Sequence, residues 1–166
     1  MIFDFNDGWT LTKENGESFS VCLPHDAMPG EKRYPSCRNA VQSGYFPGGK
    51  YRYTKTFQIN ESDIGKNIRL HLGGVYRNAV VSVNGEAVKE NKYGYSPFTA
   101  DLTEKITIGK NTVEVLADNS LVPNCRWYTG SGIYRPVYLE ISKKDAPTFL
   151  KLSLIHISEP TRPRLI

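Results

Sequence analysis

Cysteine is scarce: Cys22, Cys37 and Cys125 are the only three in 166 residues, and no two stand in CxxC spacing. That count excludes a dense disulfide framework and offers no zinc pattern, so free thiols and a reducing compartment are expected. Long apolar runs are missing as well, none approaching the roughly 18 residues of a membrane helix. Met1 leads directly into Ile-Phe-Asp-Phe-Asn-Asp-Gly-Trp, with neither a basic nor an apolar leader. The expectation is a cytoplasmic protein with no membrane partner. Cations are not gathered either: the net charge of +4 is modest and the Lys and Arg residues are scattered. No nucleic-acid footprint follows from such a distribution. No convincing helical run is present, and no metal or cofactor is expected. Whether the chain self-associates as a homo-oligomer is left open by the sequence.

What is abundant points one way. Ten Tyr and fourteen Gly accompany 39% hydrophobic and 23% charged residues, the composition of a folded, turn-rich β protein. Phe3 and Phe5, the turn signal Asn6-Asp7-Gly8, and Trp9 read as strand, turn, strand. Residues 18–23 alternate polar with apolar and are stopped by Pro24. From His25 to Gly49 the pattern dissolves into a long Pro- and Gly-bearing loop, and loops of that length are usually functional or packed on a partner. Tyr51, Tyr53, Phe57 and Ile59 restore the alternation, followed by Ile68, Leu70 and Leu72. Val75, Ala79, Val81 and Val83 run into Asn84-Gly85, the strongest short hairpin signal, with Ala87-Val88 as the return strand. Further strands are expected at 100–103, 113–117 and 137–141. Short strands with frequent turns predict an all-β sandwich. A linker-like break follows at Lys143 to Pro147, and 149–157 could begin one more strand.

Candidate chemistry concentrates in Arg126-Trp127-Tyr128-Thr129-Gly130-Ser131-Gly132-Ile133-Tyr134-Arg135. Trp127 and Tyr128 can stack on the apolar face of a sugar ring while Asn124 and Arg126 hydrogen-bond its hydroxyls. The same residues would equally serve a loop packed on the sandwich or on a neighbouring domain. Gly130 and Gly132 are expected to serve backbone conformation. Asn39, Gln42 and Tyr45 in the long loop form a weaker set. Glu86, Glu90, Glu104 and Glu114 fall at turns or alternating strand positions and read as solvated. His25-Asp26 reads as a packed His beside a turn-stabilising Asp, His71 as structural, Arg135 as packed beside Tyr134, and Asp101 and Asp118 as turn residues.

At residues 74–85, Gly-Val-Tyr-Arg-Asn-Ala-Val-Val-Ser-Val-Asn-Gly, the chain resembles the N-terminal sugar-binding domain of glycoside hydrolase family 2. Leu23-Pro24-His25-Asp26, the run from Gly44 to Gly49 with Tyr51-Arg52, Tyr95-Ser96-Pro97-Phe98 before Asp101, and Gly132 to Val137 resemble the family's other landmarks in the family's order. The Arg-Trp-Tyr loop is most similar to that of the smaller β-galactosidases.

The resemblance implies a jelly-roll sandwich of the galactose-binding-like type over residues 1–142, with 143–151 a linker or the start of a following domain. In complete enzymes of the family an immunoglobulin-like domain and a catalytic (β/α)8 barrel come next, and the two catalytic glutamates belong to the barrel. No catalytic role therefore passes to any residue here, and the chain alone is expected to be inactive. Its partners would be a β-galactoside or related sugar and the enzyme's own barrel. Through the resemblance, Asn124, Arg126, Trp127 and Tyr128 become substrate-binding candidates on a loop facing the barrel's pocket, and the 25–49 loop can reach the rim. An independent carbohydrate-binding module is the rival reading. Residues 152–166 resemble a peptide translated from sequencing-adapter DNA and are expected to be a non-native or truncated tail.

Overall fold

The computed structural model describes residues 1–37, 40–121 and 130–144. Among the described residues ten strands run in chain order: β1 (Ile2–Asp4), β2 (Trp9–Lys13), β3 (Ser18–Val21), β4 (Lys50–Ile59), β5 (Asn67–Leu72), β6 (Ala79–Val83), β7 (Glu86–Asn91), β8 (Phe98–Asp101), β9 (Gly109–Asp118) and β10 (Val137–Ser142). They form a four-stranded sheet ordered β1-β10-β5-β8 and a six-stranded sheet ordered β3-β2-β4-β9-β6-β7, all pairs antiparallel. This is the all-β jelly roll. The only helical pieces among the described residues are short 3-10 turns, two of which lie in the long loop at Met28–Gly30 and Ala40–Ser43.

Period-2 patterning decides which face is buried. Ile68, Leu70 and Leu72 of β5 and Val137, Leu139 and Ile141 of β10 point inward from one sheet, meeting Trp9, Leu11, Tyr53, Val81, Val83, Val113 and Val115 of the other in one core cluster. Each such aliphatic side chain contributes about 1.5 to 3 kcal/mol when fully removed from water. β4 and β9 pair from Lys50↔Asp118 to Ile59↔Gly109, a ten-residue spine. Asn84 at φ 51° and Gly85 at φ 87° make the tight turn between β6 and β7, as the mirror-image hairpin turns require.

The N-terminal segment is strand, turn, strand as expected, but its two strands do not pair with each other. β1 joins β10 in one sheet, while β2 lies between β3 and β4 in the other. The turn between them is therefore a corner linking the two layers. Its inner side is tied by the Trp9 indole, which donates to the Phe5 carbonyl at 2.7 Å, and by Lys55 Nζ, which donates to the carbonyls of Phe5 (3.2 Å) and Asp7 (2.6 Å).

Glu140 gives no sign of its burial in the sequence, since alternation with Leu139 and Ile141 puts it on the face opposite the core. It is 3% exposed, and its Oε2 lies 2.6 Å from His71 Nε2. Burial pushes its carboxyl up, but the hydrogen bond from His71 and the charges of His71 and Arg69 outweigh that and hold it below the ordinary 4.5. An ionised carboxylate only accepts, so Nε2 carries a proton, and Nδ1 shares a hydrogen bond with Thr99 Oγ1 at 2.9 Å. His71 thus has the structural role its sequence context predicts. Because the folded value is the lower one, this stabilisation is present above the unfolded glutamate's value and is lost as pH falls through the folded one. Glu140→Gln should cost about 1 to 2 kcal/mol at neutral pH, and its urea midpoint should converge with the parent's in acid. Parallel pH profiles for the two proteins would contradict this assignment.

Candidate functional site

Asn124, Arg126, Trp127 and Tyr128 lie within 122–129, outside the described residues. The structure does describe the two ends from which that segment springs, Leu121 at the exit of β9 and Gly130 at the approach to β10, together with the residues that secure them.

At the first end, the Asn119 backbone N–H donates to the Gly49 carbonyl at 2.8 Å, and Asp118 N–H donates to the Arg77 carbonyl at 2.8 Å. Arg77 Nη2 donates to the Leu121 carbonyl at 2.8 Å, and its buried Nε has no hydrogen-bond partner among the described residues. Gly48 allows the close approach, because a β-carbon there would lie 2.6 Å from the Asn119 carbonyl oxygen at a φ of +68°. The long loop therefore presses directly against the chain leading into 122–129.

At the second end, Asp26 Oδ1 accepts from the Ser131 N–H (2.8 Å) and the Met28 N–H (3.0 Å). The Ala27 N–H donates to the Ser131 carbonyl and the His25 N–H to the Ile133 carbonyl, both at 2.8 Å. Asn119 Nδ2 joins the two ends by donating to Ser131 Oγ at 2.6 Å, with both residues buried. The conformation expected of Gly130 and Gly132 has two distinct causes. A β-carbon on Gly130 would sit 2.7 Å from Asp26 Oδ2, while Gly132 has φ +119° and faces the Tyr53 hydroxyl.

His25 and Asp26 stand as read from the sequence, a packed His beside a turn-making Asp. His25 Nδ1 and the Tyr53 hydroxyl share a hydrogen bond at 2.9 Å. Burial pushes His25 down, against a smaller raising influence from Asp26, and pushes the Tyr53 hydroxyl up. Both groups are accordingly uncharged near neutral pH, as befits a support beneath a loop.

The remaining candidates separate cleanly. Arg135 lies over the Tyr134 ring at 5.4 Å, and Tyr134 donates its hydroxyl to the Gly94 carbonyl at 2.8 Å. Asp101 Oδ1 accepts from Thr103 N–H at 3.0 Å and Asp118 Oδ1 from Ser120 N–H at 2.9 Å, so both are turn residues. Glu90 and Glu104 are exposed, Glu86 pairs with Lys105, and Glu114 lies 3.3 Å from Arg52 Nε. In the long loop, Gln42 and Tyr45 are exposed, and Asn39 lies outside the described residues. Cys22 and Cys37 are free thiols.

Sequence reasoning gave no role to Arg77, Asn119 and Ser131, although the first stands in the 74–85 landmark and the last in the 126–135 stretch. Nothing in their spacing distinguishes them, since their roles arise from burial at a junction of three distant segments.

Residues 32–142 match the family model described as the sugar binding domain of glycosyl hydrolases family 2. A beta-galactosidase of Bacteroides ovatus is 41% identical over 121 residues, covering 70% of this chain and 14% of its own length. A beta-glucuronidase of Bacteroides fragilis is 29% identical over 153 residues, covering 82% of this chain and 20% of its own. Among solved structures, a glycosyl hydrolase family 2 member from Bacteroides cellulosilyticus superposes with a TM-score of 0.76 at 31% identity, covering 86% of this chain and 20% of that one. The chain spans a fifth or less of the length of the curated relatives it matches. The jelly roll and the family match over more than half the sequence lead to one conclusion: this chain belongs to glycosyl hydrolase family 2, as its sugar-binding domain.

Proposed function

We propose that this chain is the non-catalytic N-terminal domain of a β-galactosidase-type glycosidase that hydrolyses O-glycosyl bonds. In this reading the 122–129 loop forms one wall of the substrate pocket, and the domain packs on the catalytic barrel. The observation that carries it is the bracing of the loop's two ends by Asp26, Arg77, Asn119 and Ser131. Such support is what a rigid binding wall requires, because loose placement of a contact group forfeits much of its effect. Asn124 and Arg126 would meet sugar hydroxyls, and Trp127 and Tyr128 would stack on the ring.

A retaining glycosidase needs two carboxyl groups about 5 to 5.5 Å apart across the scissile bond. In this reading the barrel supplies both, while this domain contributes shape and hydrogen bonds. The boundaries belong to the same proposal: a sandwich over 1–142, a linker over 143–151 and a non-native tail over 152–166. So does a cytoplasmic location, which the free thiols of Cys22 and Cys37 favour. No helix among the described residues is long and apolar enough to cross a membrane.

Two assays test the proposal. The isolated chain should show no turnover of nitrophenyl β-galactoside above the uncatalysed rate, while a full-length relative hydrolyses it. Turnover by the chain, cleared of contaminating enzyme, would overturn the non-catalytic role. In a full-length enzyme carrying this domain, Trp127→Ala should raise KM for nitrophenyl β-galactoside about tenfold, consistent with loss of one stacking contact. Faster turnover of nitrophenyl β-glucuronide than of the galactoside would replace the galactoside assignment. Galactose binding by the isolated chain should be weak or undetectable, and tight binding abolished by Trp127→Ala would establish an independent carbohydrate-binding module instead.

A further inference from the structure

The long loop does more than brace its neighbour. Two cavities lie along it and meet at Tyr34. The larger, about 610 Å³, runs between the β2–β3 turn and the loop and is lined by Lys13, Glu14, Glu17, Lys32 and Lys50 among others, with Tyr34 at one end. The smaller, about 360 Å³, is formed by Arg33, Tyr34, Pro35 and Tyr45. Both volumes fall in the range of small-ligand sites.

Three features of this groove point to one ligand chemistry. Tyr34 and Tyr45 are 44% and 42% exposed, so they offer aromatic surface to solvent where core packing would have hidden it. Their positions are fixed, since Tyr34 N–H donates to the Tyr45 carbonyl at 3.1 Å and Tyr45 N–H to the Ala40 carbonyl at 2.8 Å. Tyr45 is held at φ +67°, a conformation costly for a bulky side chain and typical of sites whose surroundings impose it. The larger cavity, in turn, has no net sign, and Arg33 of the smaller one lies over the Phe46 ring at 5.3 Å. Lys13, Lys32 and Lys50 face Glu14, Glu17 and Glu31, with Lys13 and Glu31 paired at 2.7 Å. A pocket built for an anion would show an excess of cations. Balanced donors and acceptors beside aromatic faces suit an uncharged polyol.

We infer that the groove from Lys13 past Tyr34 to Tyr45 is a second carbohydrate site, which takes an uncharged di- or oligosaccharide with one ring against Tyr34 and Tyr45 and the next among the Lys and Glu side chains. Its residues are separate from the 122–129 loop. Because the Pro47 to Lys50 wall abuts Asn119 at the foot of that loop, a saccharide chain bound here would lie beside the proposed pocket.

The test is an NMR titration of the 166-residue chain with lactose, following the amide and ring signals of Tyr34 and Tyr45. Saturable shifts with a Kd on the order of 1 to 10 mM are expected. Tyr34→Ala and Tyr45→Gly should each weaken binding about tenfold. Glycine tolerates the positive φ at position 45, so that variant removes the ring without adding backbone strain, and an unchanged melting temperature would verify its fold. No shift up to about 100 mM lactose, or full binding in both variants, would overturn the site. Methyl β-glucuronide binding ten times more tightly than lactose would overturn its neutral character. Loss of lactose binding in Trp127→Ala with none in the two tyrosine variants would refute the groove and leave the loop reading standing. Loss in the tyrosine variants alone would support the groove, with the loop still judged by its own KM test.

Discussion

Gly132→Ala should lower the melting temperature of this domain by about 10 °C, corresponding to a loss of some 3 to 4 kcal/mol for a chain of this size. Two costs combine. Position 132 has φ +119°, which L side chains rarely adopt. An added β-carbon would also overlap the Tyr53 hydroxyl and lie 3.2 Å from the His25 carbonyl oxygen. Neither neighbour yields easily, since Tyr53 is fully buried in the core and His25 is bonded through its backbone to Ile133. Gly132 also exchanges both backbone hydrogen bonds with Tyr76, each at 2.9 Å, so a shift of its backbone would break that bridge. Gly16 is the control: its φ is +87° but nothing lies within 4 Å of the added carbon. Gly16→Ala should therefore cost only the conformational part, about 1 kcal/mol. Equal melting temperatures for the two variants would refute the crowding at Gly132.

Asp26→Ala carries the second large effect, about 3 kcal/mol. Its carboxylate is the acceptor for two backbone N–H groups 103 positions apart, on Met28 and Ser131, and hydrogen bonds to charged groups contribute about 1.5 to 3 kcal/mol each when removal leaves the donors unmet. The loss falls on the foot of the 122–129 loop, so hydrogen exchange at Ser131 should accelerate more than exchange at core amides of β4. Asp26→Asn keeps an acceptor oxygen in the same place and should cost about 1 kcal/mol. Unchanged Ser131 exchange in Asp26→Ala would show that the carboxylate does not secure the loop. If the loop forms the pocket wall proposed above, the same variant in a full-length enzyme should raise KM with little change in kcat.

The fold was readable because alternation is a local signal. Ile68, Leu70 and Leu72, or Val81 and Val83 ahead of Asn84-Gly85, declare their strand and their buried face without reference to any partner. The landmark segments placed the family. The 122–129 loop was also marked in advance by its Trp, Tyr and Arg, residue types that stand out in a turn-rich stretch. Its supports were not. Asn119 and Ser131 are ordinary polar residues until the jelly roll brings the exit of β9 and the entry to β10 together, and Arg77, though inside the 74–85 landmark, meets Leu121 only in the folded chain. Glu140 carries no sign of its burial in the sequence, and only its register beside Arg69 and His71 reveals a buried hydrogen-bonded pair.

Residue order alone determined the strand pattern, the turns that need glycine or asparagine at positive φ, and the family, because each rests on contacts between near neighbours in sequence or on motif identity. The tertiary structure decided which strands share a sheet, splitting β1 from β2. It also decided which polar groups are buried against one another and where exposed tyrosines gather beside a cavity. Those outcomes depend on contacts between segments tens of residues apart, and the pairing of such segments is set by the packing of the whole sandwich.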